Sequence, residues 1–153
     1  MARRAGITVI HVHNAWREGH PDVNPFTPWQ ADANAAGRST EGTWGIESVE
    51  ALAPVAGELV IRKRAVSGFA GTELDRLLRI HDLSTLVIAG IVTNFAAEGT
   101  ARDASDRGYR VIVLADCCES VTDEMHQFSI TQILPGMAEV VAAADFIEWA
   151  PAG

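Results

Sequence analysis

The feature that most constrains this chain is a pair of uninterrupted apolar runs separated by one helical segment: STLVIAG (residues 84–90) and YRVIVLAD (residues 109–116). A strand that reads apolar at every position, without alternation, has both faces covered. That is the situation of a parallel strand inside an α/β sheet. The segment between them, residues 94–107, has Glu98/Arg102, Arg102/Asp106 and Asp103/Arg107 at i,i+4 spacing on a wet side, and Ala97, Ala101 and Ala104 as a slim face able to lie close to a sheet. Gly108 follows as a C′ residue.

The same alternation extends in both directions. ITVIHVH (residues 7–13) and ELVIRK (residues 58–63) read as strands. GTELDRLLRIHDL reads as a helix capped by Thr72, with Leu74, Leu77 and Leu78 as its buried stripe. VTDEMHQFSITQIL (residues 121–134) reads as a helix with Met125, Phe128 and Ile133 inward, and AEVVAA (residues 138–143) as a fifth strand. The pattern predicts a three-layer α/β/α fold with one mostly parallel sheet, and 153 residues predict a single domain over residues 1–153. Residues 14–44, with GHPDVNPFTPW and its three prolines, are too long for a plain connection and read as a functional loop.

Composition narrows the partners. A net charge of −8 and no basic cluster beyond Arg62–Arg64 argue against nucleic acid and against an anionic membrane surface. No apolar stretch approaches the roughly 20 residues of a membrane span, and MARRAGITVIHVHNA lacks the run and cleavage site of a signal peptide. Two adjacent cysteines, Cys117 and Cys118, give no disulfide framework. The expectation is a cytoplasmic protein with a small-molecule substrate.

In parallel sheets, ligands gather at the carboxyl ends of the strands. That rule nominates His13, residues 63–69, residues 92–96 and residues 116–119. Lys63 can orient a nucleophile or move a proton, or it is a solvated strand-end lysine. GIVTN at residues 90–94 joins a strand to a helix start, where backbone N–H groups can cradle an oxyanion, or where Thr93 or Asn94 simply caps the helix. His11 and His13 share a strand face, yet no third ligand is fixed by spacing, so no metal is assigned. His81 and His126 fall in helices as surface or packing residues. Cys117 or Cys118 as a thiol nucleophile lacks a histidine at suggestive spacing. Trp44 and Phe69 read either as pocket walls or as core.

Taken together, EGTWG, VIRKRAVSGFAGTELDRLLR and LVIAGIVTNFAAEGTARDASDRGYRVIVLAD, in this order along the chain, resemble the isochorismatase-like (cysteine hydrolase) superfamily. The resemblance covers about residues 7–141. It implies a six-stranded parallel sheet, homo-oligomeric assembly, no cofactor, and hydrolysis of a C–N bond in an amide or ureide, or of a vinyl ether. It places the family's Lys at Lys63, a cis peptide between Ile91 and Val92, oxyanion donors at the amides of Val92 and Ala96, and a substrate border at Trp44, Phe69, Asn94 and Phe95. Two departures accompany it. Ala96 stands where the family carries its nucleophilic Cys, and a methyl group cannot attack a carbonyl. The family's first strand, which ends in the catalytic Asp, would precede Met1, and MARRAG reads as the tail of the helix after it; strand edges on either side of that position are therefore expected to be exposed. Asp116 is the nearest strand-end carboxylate. Three readings follow: a hydrolase using a route without Cys, a catalytically silent pseudoenzyme or binding module of the same fold, or a chain whose Asp arrives on an upstream segment.

Overall fold

The computed structural model describes residues 2–149. Five strands and five helices alternate along it: β1 (Ile10–Asn14), α1 (Pro28–Ala35), β2 (Leu59–Lys63), α2 (Leu74–Ile80), β3 (Thr85–Ile91), α3 (Glu98–Asp106), β4 (Arg110–Glu119), α4 (Asp123–Phe128), β5 (Glu139–Val141) and α5 (Ala143–Trp149). Every strand pairing is parallel. The expected α/β architecture is present, but the strands form two sheets: β1–β2, and β3–β4–β5. Among the described residues β1 pairs only with β2, and β3 pairs on one side only, with β4.

Between them lies a gap with a volume of about 430 Å³, bounded by Ile10, Val12 and Asn14 of β1 and by all seven residues of β3. Leu74 and Leu78 of α2 and Ala97 and Thr100 of the following helix line it as well. Two sheet edges therefore face each other across an apolar slot, with the backbone groups on those edges outside any ladder.

The core explains why the apolar runs do not alternate. Val111 and Val113 of β4 join Ala101 and Ala104 of α3, with Leu74 and Leu78 of α2, in one cluster. Ile112 has the opposite phase and is equally buried, so both faces of β4 are covered. The alanine face of α3 permits close approach. Gly99 carries this furthest, since a Cβ added there would meet Val66 Cγ1 at 2.9 Å.

Four elements depart from the sequence reading. β1 begins at Ile10 rather than at residue 7, and β4 runs on to Glu119, with a shift of register against β3 between Ile88 and Gly90. The loop at residues 14–44 contains a helix, α1, whose Pro28 occupies the first turn, where a missing N–H costs nothing. The segment after β4 breaks into α4, a π-helical turn (Ser129–Ile133) and a 3₁₀ turn (Leu134–Gly136). Its inward side is His126, Ser129 and Leu134, whereas Met125 and Phe128 are exposed. Polar partners set that phase: His126 Nδ1 lies 2.9 Å from Thr93 Oγ1, and Ser129 Oγ donates to Glu98 at 2.7 Å. Thr72 does accept from the Leu74 amide at 3.2 Å, although Glu73 is the residue that caps α2.

The Gly99 contact gives a direct test. Gly99→Ala is expected to lower stability by about 1–3 kcal/mol through overpacking, read by urea unfolding. Val66→Ala in the same chain should recover much of that loss by vacating the colliding methyl.

Candidate functional site

The C-terminal ends of β1, β2 and β3 converge on a second cavity of about 690 Å³, lined by Asn14, Trp16, Lys63, Val92, Phe95 and Ala96 among others. In the parallel register of β1 and β2, Asn14 stands opposite Lys63, so their side chains leave the sheet on the same face. Both residues line the gap as well, so the two spaces meet at this pair.

Lys63 is only 7% exposed. Its Nζ donates to the Ala65 carbonyl at 2.7 Å, and among the described residues no carboxylate pairs with it. Burial disfavours the ammonium and lowers its pKa from 10.5 to about 8. A neighbouring charged side chain with such exposed stems as Arg62 keeps water; Lys63 does not, because its strand position turns it inward. Asp116 does not substitute as a partner: its Oδ1 accepts from the Ala143 amide at 2.8 Å.

The strand-to-helix junction after β3 carries the other half of the site. The Ile91–Val92 peptide is cis, and Gly90 before it has φ of +121°, a conformation open to glycine and strained for other residues. A π-helical turn, Thr93–Ala97, leads into α3. Within it the amides of Phe95 and Ala97 both donate to the Val92 carbonyl, at 3.1 and 3.3 Å. Thr93 is fully buried and tied to His126, and Asn94 accepts a hydrogen bond from Ser120 at 2.5 Å. The turn is thus held from α4 and from Ser120, the residue after β4.

The long loop is fastened to the strand ends by charge and backbone. Arg64 bonds Asp22 and, at 2.7 Å, Glu41; the Gln30 side chain donates to the Arg64 carbonyl at 3.2 Å. Trp16 exchanges backbone hydrogen bonds with Ser39 and Glu41, each at 2.8 Å. Asp22 is held below the ordinary carboxylate range by its bonds to the Arg64 side chain and the Arg17 amide, which outweigh its burial. The loop is therefore a fixed wall of the cavity, with Trp16 and Trp29 rings 5.6 Å apart inside it.

The residues nominated from sequence separate cleanly. Lys63, Val92, Phe95 and Ala96 line one cavity. Trp44 is 86% exposed and Phe69 is buried in the core against Tyr109 and under Arg107, and neither lines it. Asn94 is half-buried and engaged with Ser120. His11 pairs with Glu58 at 2.9 Å, and His13 with Ser48 at 3.0 Å. Among the described residues no three His, Cys, Asp or Glu side chains gather as a metal-holding group. Burial raises the pKa of both cysteines, and the Asp116 carboxylate adds to it, so they remain thiols. Asn14 and Trp16 also line the cavity, and nothing in the composition of HVHNAW marks them for it.

Comparison with known proteins follows this geometry. The isochorismatase domain matches residues 1–145. The chain is 38% identical over 127 residues to the ureidoacrylate amidohydrolase of Methylorubrum extorquens, covering 75% of this chain and 51% of that protein, and so spans about half its length. Among solved structures, an isochorismatase family protein from Desulfovibrio vulgaris superposes with a TM-score of 0.88 at 31% identity, covering 97% of this chain and 77% of that one. The N-carbamoylsarcosine amidase of Thermoplasma acidophilum superposes with a TM-score of 0.74 at 30% identity, covering 92% and 75%. No helix among the described residues is long and apolar enough to cross a membrane. Sequence and fold agree, and the chain belongs to the isochorismatase family of hydrolases.

Proposed function

We propose that this chain forms the substrate pocket of a hydrolase that cleaves a C–N bond in a small amide or ureide without a cysteine nucleophile. The observation that carries the reading is the shared cavity: a desolvated Lys63, the strand-to-helix turn with the Val92 and Ala96 amides, and an apolar wall at Phe95. The amide and ureide hydrolases among the relatives favour C–N chemistry over vinyl-ether cleavage.

In this reading water takes the place of the thiol. It attacks the carbonyl carbon, and its proton passes toward Lys63, which near pH 8 is divided between its free-base and charged forms. The amides of Val92 and Ala96 receive the negative charge on the carbonyl oxygen. The C–N bond then breaks as the leaving nitrogen takes that proton back from Lys63, giving a carboxylic acid from an amide or a carbamic acid from a ureide, with an amine or ammonia as the other product. In this reading the carboxylate partner of Lys63 comes from the strand ending in Asp that the resemblance implies, and the gap between β1 and β3 is a place where such an extended apolar segment would fit. Both facing edges would then gain a ladder partner.

A second reading has an observation of its own. The methyl of Ala96 is chemically inert, so the same pocket suits a module that binds an amide or ureide without turnover.

Two measurements test these statements. Below pH 8 both the folded and the unfolded chain hold the Lys63 proton, and the fold bears the whole desolvation cost. Between pH 8 and 10.5 the folded state releases the proton first and the cost fades. Lys63→Met is therefore expected to be more stable than the parent at pH 7 by about 1–3 kcal/mol, with the advantage shrinking toward pH 10; equal stabilities at every pH would contradict the burial argument. For the chemistry, the parent chain and Ala96→Cys are each to be assayed against a panel of amides and N-carbamoyl amino acids, with and without a short apolar strand ending in Asp fused ahead of the chain. Hydrolysis should rise about 10²- to 10⁴-fold in the fused variant. No turnover in any of these proteins would overturn the hydrolase reading and leave the binding module.

A further inference from the structure

Among the described residues, three hydroxyl side chains lie within hydrogen-bond distance of an imidazole: Thr93 with His126, Thr40 with His20, and Ser48 with His13. The first pair is buried and ties α4 to the turn after β3. In the second, the other ring nitrogen of His20 is held by Asn34 at 2.7 Å, so the ring serves as a clasp of the long loop. The third pair differs from both. Ser48 Oγ is 3.0 Å from His13 Nε2, and both residues line the 690 Å³ cavity. Ser48 sits on a short link between two 3₁₀ turns, Trp44–Ile46 and Glu50–Leu52, with its neighbours Glu47 and Val49 at ψ of 143° and 145°. His13 alternates with Asn14 along β1, so it leaves the strand on the face away from Asn14 and Lys63. The cavity lies across the strand ends and reaches both faces, which gives it a second reactive corner.

A serine hydroxyl is a weak nucleophile until a base takes its proton, and a separation of 3.0 Å is within reach of that transfer. Burial lowers the pKa of His13 below its ordinary 6.5, and the neighbouring His11 and Arg62 push the same way, so the ring is neutral at pH 7 and has a lone pair to offer. The usual third member is missing. Among the described residues no carboxylate pairs with His13, and Glu58, at the start of β2, is engaged by His11 and Arg3. A base without that support is weaker, and it suits an ester whose leaving group is stable as an anion rather than an amide.

We infer that Ser48 and His13 form a nucleophile–base pair that hydrolyses activated esters, a second activity of this cavity that uses neither Lys63 nor Ala96. His13 Nε2 takes the hydroxyl proton as Ser48 Oγ bonds to the acyl carbon. The ester C–O bond then breaks, and the leaving oxygen departs with the proton returned from His13, which leaves the acyl group on Ser48. Water attacks that acyl carbon and gives its proton to His13. The bond to Oγ breaks, Oγ recovers the proton, and a carboxylic acid is released. Water is the only co-reactant and nothing is oxidised or reduced.

The test uses p-nitrophenyl acetate on the intact chain. The parent should release p-nitrophenolate in a burst and carry an acetyl group that peptide mass mapping places on Ser48. Ser48→Ala removes a single oxygen from a half-buried link; it should lose that label and slow the release at least about tenfold. His13→Gln should slow acetylation of Ser48 about a hundredfold with the hydroxyl still present. The parent rate should climb with pH through a midpoint below 6.5, where His13 sheds its proton, and His13→Gln should lack that inflection, which a merely structural hydrogen bond would not produce. The inference is overturned if the acetyl group is found only on the exposed Cys117 or on surface amines, if Ser48→Ala releases p-nitrophenolate as fast as the parent, or if the inflection survives in His13→Gln. The two proposals fail separately: amide turnover without acetylation of Ser48 upholds the Lys63 reading alone, and acetylation of Ser48 without amide turnover upholds this pair alone.

Discussion

Everything distinctive about this molecule follows from one unmet electrostatic demand, the ammonium of Lys63. Its strand position turns it into a cavity where water is scarce, and its one hydrogen bond goes to a neutral carbonyl, Ala65. The consequence is a pKa near 8 in place of 10.5. Other cations are treated differently: Arg64, next to Lys63, is matched by Asp22 and Glu41, and at the opposite end of β2 Arg3 is matched by Glu58, which the pairing holds well below the ordinary carboxylate range. The proposed role of Lys63 rests on this contrast between matched arginines and an inward lysine without a carboxylate partner among the described residues.

The gap and the lysine belong to one arrangement. β1 and β3 present facing edges to a slot of about 430 Å³, and Asn14 and Lys63 stand where that slot opens into the larger cavity. An extended segment in the slot would satisfy two ladders of backbone groups and deliver a side chain at its end to Lys63. The opposite wall needs no such help. The turn at Thr93–Ala97 is already fastened through Thr93 to His126 and through Asn94 to Ser120, so the cradle keeps its shape with or without a reacting group on Ala96. With a methyl at Ala96 the turn keeps its geometry, which is why the two proposed readings, hydrolysis without a thiol and binding without turnover, are both compatible with the same walls.

How much of this could be read from residues alone differs from element to element. The parallel strand at Arg110–Glu119 announces itself because burial on both faces of Val111–Val113 forces a continuous apolar run; Thr85–Ile91 carries a similar run, but beside the open slot none of its residues is fully buried. Lys63, Val92, Phe95 and Ala96 were legible because strand ends in parallel sheets collect ligands, and the structure brings those four to one cavity. Trp44 and Phe69 show the limit of aromatic residues as pocket markers: a ring is equally at home against solvent or in the core, and only tertiary contacts decide. The phase of α4 was misread because apolar periodicity gave way to polar pairing, His126 with Thr93 and Ser129 with Glu98. The pairing of Ser48 with His13 was invisible for another reason. It joins residues 35 apart in the chain, and such a contact has no signature in sequence.

The most direct test of the account is the pKa of Lys63 itself, followed through its side-chain ¹⁵N and ¹³Cε resonances over a pH titration of the intact chain. A midpoint near 8 is predicted for the chain alone, rising when a carboxylate-bearing strand is fused into the gap, because an adjacent anion favours the ammonium. A midpoint at or above 10 in the chain alone would mean that Lys63 is solvated or already paired, and the proposed role of the gap and of the cavity beside it would fall with that result.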